Sequence, residues 1–244
     1  MKAMIFAAGL GTRLKPLTDN LPKALVPIAG KPLLEHVIIK LKAAGYNELI
    51  INVHHFPDLI IDFLEQNYNF GIKIVVSDER DELLDTGGAI RKAAWFFDDG
   101  QPFLVHNVDI LSNLDLNELY QSHLKSQSLA TLVVSKRNTF RYLLFDDNNQ
   151  LCGWVNEKTG ETKPAEINDL LSYNKLAFAG VQMFSVEVLS LMEKLTPKFS
   201  IMDFYLSNTT TQKMCAFVPT NFKMIDVGKL NVLEDAERFV NELG

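Results

Sequence analysis

An α/β domain with a mostly parallel mixed central sheet flanked by helices, and with a smaller antiparallel excursion, is the fold this sequence predicts. Two patterns carry the prediction. Up to about residue 127, short apolar runs of strand type alternate with segments whose apolar residues recur at helical spacing. That β-α-β-α-β alternation builds a parallel sheet with helices on both faces. Between Ser128 and about Asn156, strand-like runs follow one another across turn signals without helical segments between them, as antiparallel neighbours do. A chain of 244 residues is enough for one domain with a full core, read here as a first half of about 1–127 and a second of about 128–244.

The first strand, Met4-Ile5-Phe6, empties into AAGLGTRLKPLTDNLPKALVPIAGKP, from Ala7 to Pro32. Gly9 and Gly11 carry no Cβ to hold a ligand away from the backbone. Arg13, Lys15 and Lys23 add three cations, and exposed N–H groups beside fixed positive charge suit a polyanion such as a chain of phosphates. A connection this long inside a compact domain is usually functional. It is not a P-loop, since no G-x-x-x-x-G-K-[ST] occurs. Nor is it a dinucleotide fingerprint: Leu14 stands where the third glycine belongs, and the second strand ends Asn52-Val53-His54 without an acidic residue for a ribose. Pro16, Pro22 and Pro27 oppose a helix directly after the strand.

Pro32 in a first turn and Gly45 past the end bracket a helix with Leu34, Val37, Ile38, Leu41 and Ala44 on one face. Leu49–Val53 and Ile72–Val76 read as strands around a helix starting near Pro57. Asp85-Thr86-Gly87-Gly88 then opens a helix ending around Phe97. Paired glycines there are either a plain turn or bare backbone for a ring or phosphate, outside the carboxyl end of a strand where ligands bind. Phe103–Val105 runs into His106-Asn107-Val108-Asp109. A carboxylate at the end of a buried parallel strand packs poorly and suits Mg²⁺, which takes one or two carboxylates plus phosphate oxygens. Asp115 and Glu118 form a capping-box pattern.

In the second half, Ala130–Ser135, Tyr142–Phe145 and Leu151–Asn156 are strands, the last two joined by the turn Asp146-Asp147-Asn148-Asn149. Phe178–Phe184 is a strand with Gly180 inside it, which signals a close approach by a ligand or another chain. Ser185 and Ser200 are placed to cap two helices, Ser200 with Asp203 as a second box. After strand Cys215–Val218, Met224-Ile225-Asp226-Val227-Gly228 repeats the Asp109 pattern, ahead of a last helix from about Asn231. His54 and His55 are adjacent on a strand end and point opposite ways, so one lines the site and the other is structural. His106, beside Asp109 in sequence, is the better candidate for substrate contact.

The ordered set G-x-G-T-R-L-x-P-L-T, then P-K-x-L-x-P and G-K-P-L, resembles the sugar-1-phosphate nucleotidyltransferases, and the likeness runs through nearly the whole chain. It implies a Rossmann-like nucleotidyltransferase fold and the reaction of a nucleoside triphosphate with a sugar 1-phosphate to give a nucleotide-sugar and pyrophosphate. By the same resemblance, Ala8, Gly9, Gly11 and Thr12 hold the triphosphate, and Arg13 stabilises the departing pyrophosphate. Lys23 bridges the α-phosphate and the sugar phosphate. Gly87 and Gly88 receive nucleobase and ribose, Asn107 and Gly180 lie at the sugar phosphate, and Asp109 and Asp226 bind Mg²⁺. Glu157-Lys158 resembles the family's E-K-P with Thr159 for the proline, so Lys158 either meets the sugar phosphate or is a solvated turn lysine. Val108 replaces a usually small residue and Met224 a usual aromatic. Many relatives continue into a left-handed β-helix; the expectation here is the catalytic core alone.

A formal net charge of −6 gives no support to a nucleic-acid partner. No apolar run is long enough to span a membrane, and the N-terminal apolar stretch leads into Thr12-Arg13-Leu14-Lys15 as a strand rather than a signal peptide. Cys152 and Cys215 read as free thiols of a reducing cytosol, so a cytoplasmic location is expected; the expected assembly is a monomer or small homo-oligomer. A non-catalytic regulatory relative is expected to lack Arg13, Lys23 or one aspartate; all four are present. Among short members, Asp85-Thr86-Gly87-Gly88 and Ile51-Asn52-Val53-His54 most resemble the N-acetylmuramate 1-phosphate uridylyltransferases of peptidoglycan recycling. UTP and an amino sugar 1-phosphate are therefore expected, with GTP and mannose or heptose 1-phosphate as the rival pair.

Overall fold

The structure, a computed structural model, describes residues 1–165, 167 and 169–243. Strand β1 (Lys2–Phe6) leads into the basic loop, which coils through three single 3₁₀ turns and closes on a minimal hairpin of β2 (Pro27–Ile28) and β3 (Lys31–Pro32). Helix α1 (Leu33–Ala43) follows; Pro32 is the extended residue just before it rather than part of its first turn, and Gly45 sits past its end at φ 86°. Then come β4 (Glu48–Val53), α2 (Pro57–Gln66, with Pro57 at its first position), β5 (Lys73–Asp78) and α3 (Asp85–Lys92). The first half closes with β6 (Phe103–Asn107), β7 (Ile110–Ser112) and α4 (Leu116–Ser126). Asp115 caps α4, accepting from the backbone N–H of Asn117 and Glu118 at 2.8 and 3.0 Å.

The second half comprises β8 (Ala130–Ser135), β9 (Arg141–Phe145), β10 (Leu151–Asn156), β11 (Glu161–Lys163), β12 (Asn174–Phe184), α5 (Val188–Met192), α6 (Ile201–Asn208), β13 (Met214–Phe217), β14 (Met224–Asp226) and α7 (Leu233–Leu243). Strand β11 and the four-residue start of β12 are additions to the sequence reading. Ser200 caps α6 as expected, accepting from Met202 N–H at 3.2 Å. Ser185 does not cap α5: its hydroxyl donates to the Ser128 carbonyl at 2.8 Å, a better offer to a side chain already turned inward.

The sheet is mixed, as predicted. β5, β4, β1 and β6 run parallel in that order, with Met4 opposite both Ile50 and Val105. β12 joins the two halves, pairing antiparallel with β6, β8 and β9. Alternation along β1 sends Ala3 and Ile5 into the apolar layer shared with α1, α2, α4 and α7, and Met4 into the layer shared with α3, α5 and α6. Helices thus cover both faces, and every parallel strand ends at the same edge.

Gly180 lies in β12 where its pairing with β8 shifts, at φ 73°. A Cβ there would stand 2.7 Å from Ile110 Cγ1 and 2.9 Å from Asn107 Nδ2. Gly180→Ala is expected to cost about 1–3 kcal/mol through left-handed strain and overpacking. Urea unfolding checks this, and an unchanged midpoint contradicts it.

Two buried histidines set an acid limit on stability. His123 hydrogen-bonds with Thr131 Oγ1 at 2.8 Å and Ser185 Oγ at 3.1 Å, and His106 donates from Nδ1 to the Asn107 carbonyl at 2.8 Å. Burial above all pushes both down to about 4. Between their ordinary value of 6.5 and about 4, the unfolded chain takes up protons that the folded chain refuses. Stability is therefore complete above that window and falls as pH drops through it. Urea midpoints measured across this range should show a shallower decline in His123→Gln than in the parent.

Candidate functional site

The basic loop folds back on itself at Gly11, whose φ is 64° and whose carbonyl accepts from Leu14 N–H at 2.8 Å and the Thr18 hydroxyl at 2.9 Å. A Cβ on Gly11 would lie 2.9 Å from Thr18 Cγ2 and 3.1 Å from Lys23 Cβ. Its glycine is thus needed for the loop's own packing, and this packing carries Lys23 back over the carboxyl ends of β1 and β6. There the largely buried Lys23 ammonium pairs with Asp109 Oδ2.

β14 lies antiparallel to β7, with Asp226 opposite Ile110 and Val227 N–H donating to the Asp109 carbonyl at 2.9 Å. Two carboxylates far apart in sequence therefore flank one point. Asp226 opens toward solvent, yet protein crowding strips part of its hydration and, with the negative charge of Asp109 as the second cause, raises its pKa. Lys23 and Arg13 act in the opposite direction. Arg13 reaches the same place: a Cβ on Gly228 would stand 2.8 Å from Asp226 Oδ1 and 2.9 Å from Arg13 Nη2. Two mutually repelling, hard oxygen donors fit a divalent cation such as Mg²⁺, which takes one or two carboxylates and completes its shell with phosphate oxygens and water.

Beside this cluster opens a cleft of about 410 Å³. Ala8, Gly9, Lys23, Asn107 and Asp109 line it, so the structure gathers much of the predicted set around one space. Gly180 abuts Asn107 from below. Thr12 and Arg13 are exposed on the loop at the rim.

Gly87 and Gly88 are placed differently from the expectation of bare backbone. Both are buried in the first turn of α3, and both N–H groups donate to the Phe199 carbonyl, at 2.9 and 3.2 Å. A Cβ on Gly87 would collide with the Phe199 ring, and one on Gly88 with the Pro197 carbonyl. The glycines admit a neighbouring segment, and their two N–H groups already have a partner. Asp85 and Thr86 reach the cleft in their stead, with Lys198 opposite. Lys158 is exposed in the β10–β11 turn, its N–H donating to Asn156 Oδ1 at 3.1 Å, and it does not line the cleft. His54 bonds the Glu79 carbonyl at 2.7 Å and His55 packs on Phe56, so neither lines the cleft either. His106 is fully buried beneath it, which corrects the expectation of substrate contact.

Sequence reasoning missed a support under the cleft. Asn52 accepts from Ala7 N–H at 2.9 Å and donates at 2.9 Å to the buried carboxylate of Glu79. The other Glu79 oxygen accepts from Leu84 N–H at 3.1 Å. One carboxylate thus ties the loop entrance, β4 and the entry to α3 together. Its only sequence signal was a charged residue directly after a strand.

A family profile described as nucleotidyl transferase matches residues 2–242. The chain belongs to that family. Its similarity to the N-acetylmuramate α-1-phosphate uridylyltransferase of Caulobacter vibrioides is 46% identity over 109 residues, 44% of this chain and 45% of the relative. To mannose-1-phosphate guanylyltransferase 1 of Arabidopsis thaliana it is 36% over 138 residues, 56% and 38% of the two chains. The aligned stretches thus span about half the length of these curated relatives or less. HddC from Yersinia pseudotuberculosis, solved with GMP-PN, superposes with a TM-score of 0.79 at 26% identity over 98% of this chain and 99% of its own. Within this nucleotidyl transferase, the loop, the two aspartates and the cleft all lie at the carboxyl edge of the parallel strands, where open α/β sheets bind ligands.

Proposed function

We propose that the protein transfers a nucleotidyl group from a nucleoside triphosphate, UTP above GTP, to a sugar 1-phosphate, with N-acetylmuramate 1-phosphate or a related amino sugar as acceptor. The observation that carries this reading is the convergence of Arg13, Lys23, Asp109 and Asp226 on one point beside the cleft. An oxygen of the sugar phosphate attacks the α-phosphorus; the new P–O bond forms as the bond to the β-phosphate breaks, and pyrophosphate leaves. No covalent intermediate on the protein is required, so catalysis consists of positioning and charge stabilisation.

Arg13, at the rim, faces the departing pyrophosphate, and its fork stabilises charge that grows as the bond breaks. Lys23, held by Asp109 when no phosphate is present, bridges the α-phosphate and the sugar phosphate. Asn107 and Gly180 form the floor on the acceptor's side, while Ala8, Gly9, Gly11 and Thr12 shape the loop around the triphosphate. Asp109 and Asp226 would hold Mg²⁺, which supplies neutralisation between the two phosphates when bound. We place the reaction in the cytoplasm, in nucleotide-sugar synthesis for cell-wall recycling; no helix among the described residues is long and apolar enough to cross a membrane.

A matrix of nucleoside triphosphates against sugar 1-phosphates, scored by Mg²⁺-dependent pyrophosphate release, tests the proposal. UTP with N-acetylmuramate 1-phosphate is expected to give the highest kcat/KM. The second reading, GTP with mannose or heptose 1-phosphate, is favoured by the likeness to HddC bound to GMP-PN and to the guanylyltransferase relatives. A preference for that pair would replace the substrates and keep the reaction.

A further inference from the structure

The antiparallel half of the sheet holds another cavity, of about 350 Å³, which the transfer step as derived above does not use. Arg137 follows β8, Arg141 stands on β9, Trp154 on β10, Lys163 on β11 and Phe178 on β12, while α6 closes the space with Asp203 among its residues. β12 passes from this cavity to the floor of the catalytic cleft. Phe178 precedes Gly180 by two positions on β12, roughly 7 Å at the rise of a strand, and Gly180 abuts Asn107 of the cleft floor. On β12 the lining of this cavity and the floor of the cleft are therefore two residues apart.

The charge of the lining is unusual for a protein of net charge −6. Among the described residues, three cations face one carboxylate. Lys163 is matched, with Asp203 at 3.6 Å and the Trp154 ring beneath it at 5.9 Å. Arg137 donates one N–H to the Phe178 carbonyl at 3.0 Å and makes no ion pair among the described residues. The Arg141 guanidinium has neither a hydrogen bond nor an ion pair among the described residues. The reacting phosphates already have Arg13 and Lys23, so these two guanidiniums are surplus to the chemistry. Planar forks of this kind match a carboxylate through two parallel N–H bonds, and Trp154 supplies a flat apolar wall for a sugar ring.

We propose that this cavity receives the acceptor's ring together with a second anionic group on it, a carboxylate, and that Arg141 and Arg137 determine specificity for it. The inference rests on the transferase reading above and narrows its acceptor to a sugar acid. N-acetylmuramate 1-phosphate carries such a group on its lactyl ether, whereas N-acetylglucosamine, mannose and heptose 1-phosphates have no carboxylate.

The test compares kcat and KM, with UTP fixed, for N-acetylmuramate 1-phosphate, its lactyl carboxamide and N-acetylglucosamine 1-phosphate, in the parent, Arg141→Ala, Arg141→Lys and Arg137→Ala. The parent should favour the acid over the carboxamide by tenfold or more. Arg141→Ala should reduce that ratio at least tenfold, mainly through KM for the acid, and Arg141→Lys should restore part of it. Arg137→Ala should move the ratio in the same direction as Arg141→Ala. Turnover of the carboxamide by each variant doubles as a control for folding. Equal use of acid and carboxamide by the parent, or a ratio unmoved in both alanine variants, overturns this inference and leaves the transferase standing. Absence of pyrophosphate release with every triphosphate and sugar phosphate overturns the transferase reading itself.

Discussion

Asp226→Asn is expected to fold like the parent and to lose turnover by roughly 10²–10³-fold, the scale seen when a preorganised electrostatic group is removed from a transition state. The substitution keeps volume and removes charge. Asp226 lies on β14, where backbone pairing to β7 holds it independently of the carboxylate charge, so the variant's urea midpoint should stay close to the parent's. Asp109→Asn should lose as much turnover for an additional reason: Lys23, nearly buried, forfeits its ion-pair partner. Each variant should need a higher Mg²⁺ concentration for half-maximal pyrophosphate release. Near-parental turnover in either, after chelation and Mg²⁺ titration, would dismiss the paired-carboxylate site.

Arg13→Lys should lower kcat by roughly tenfold or more, although charge is conserved. A guanidinium addresses two phosphate oxygens with a rigid fork, while an ammonium is a hydrated point charge on a flexible stem. Leaving-group charge peaks in the transition state, so the loss belongs in kcat and in kcat/KM equally. Arg13 is exposed at the rim and lies beside Asp226 and Gly228, so fold stability should not change. A raised KM for the triphosphate at constant kcat would assign Arg13 to ground-state binding.

The parallel core was legible because β1, β4 and β6 are buried on both faces and each carries a short continuous apolar run, Ala3–Phe6, Leu49–Ile51 and Phe103–Val105. The basic loop was legible through glycine and charge, and Asp115 and Ser200 through capping chemistry. What escaped depended on long-range contact. Gly87 and Gly88 looked like ligand backbone, and only the arrival of Pro197 and Phe199, more than a hundred positions later, shows that chain itself fills the space. Ser185 carried a cap signature, but a buried carbonyl of Ser128 lay closer. The Asn52–Glu79 support and Lys198 have no local pattern, since each acquires its neighbours from separate elements. Lys158 was judged from a three-residue motif, whereas in the fold it is an exposed turn residue, and Lys163, on the returning strand, is the lysine that lines the second cavity.

The pairing of β14 with β7 gives the site a temporal order. A ribosome delivers Arg13, Lys23 and Asp109 with the first half of the chain, while Asp226 arrives only with the last strand. Without β14, the site has its cationic loop and only one of its two carboxylates. Competence is therefore expected only once Met224–Asp226 has joined the fold, and a translation product interrupted before residue 224 should leave the nucleotide pool untouched.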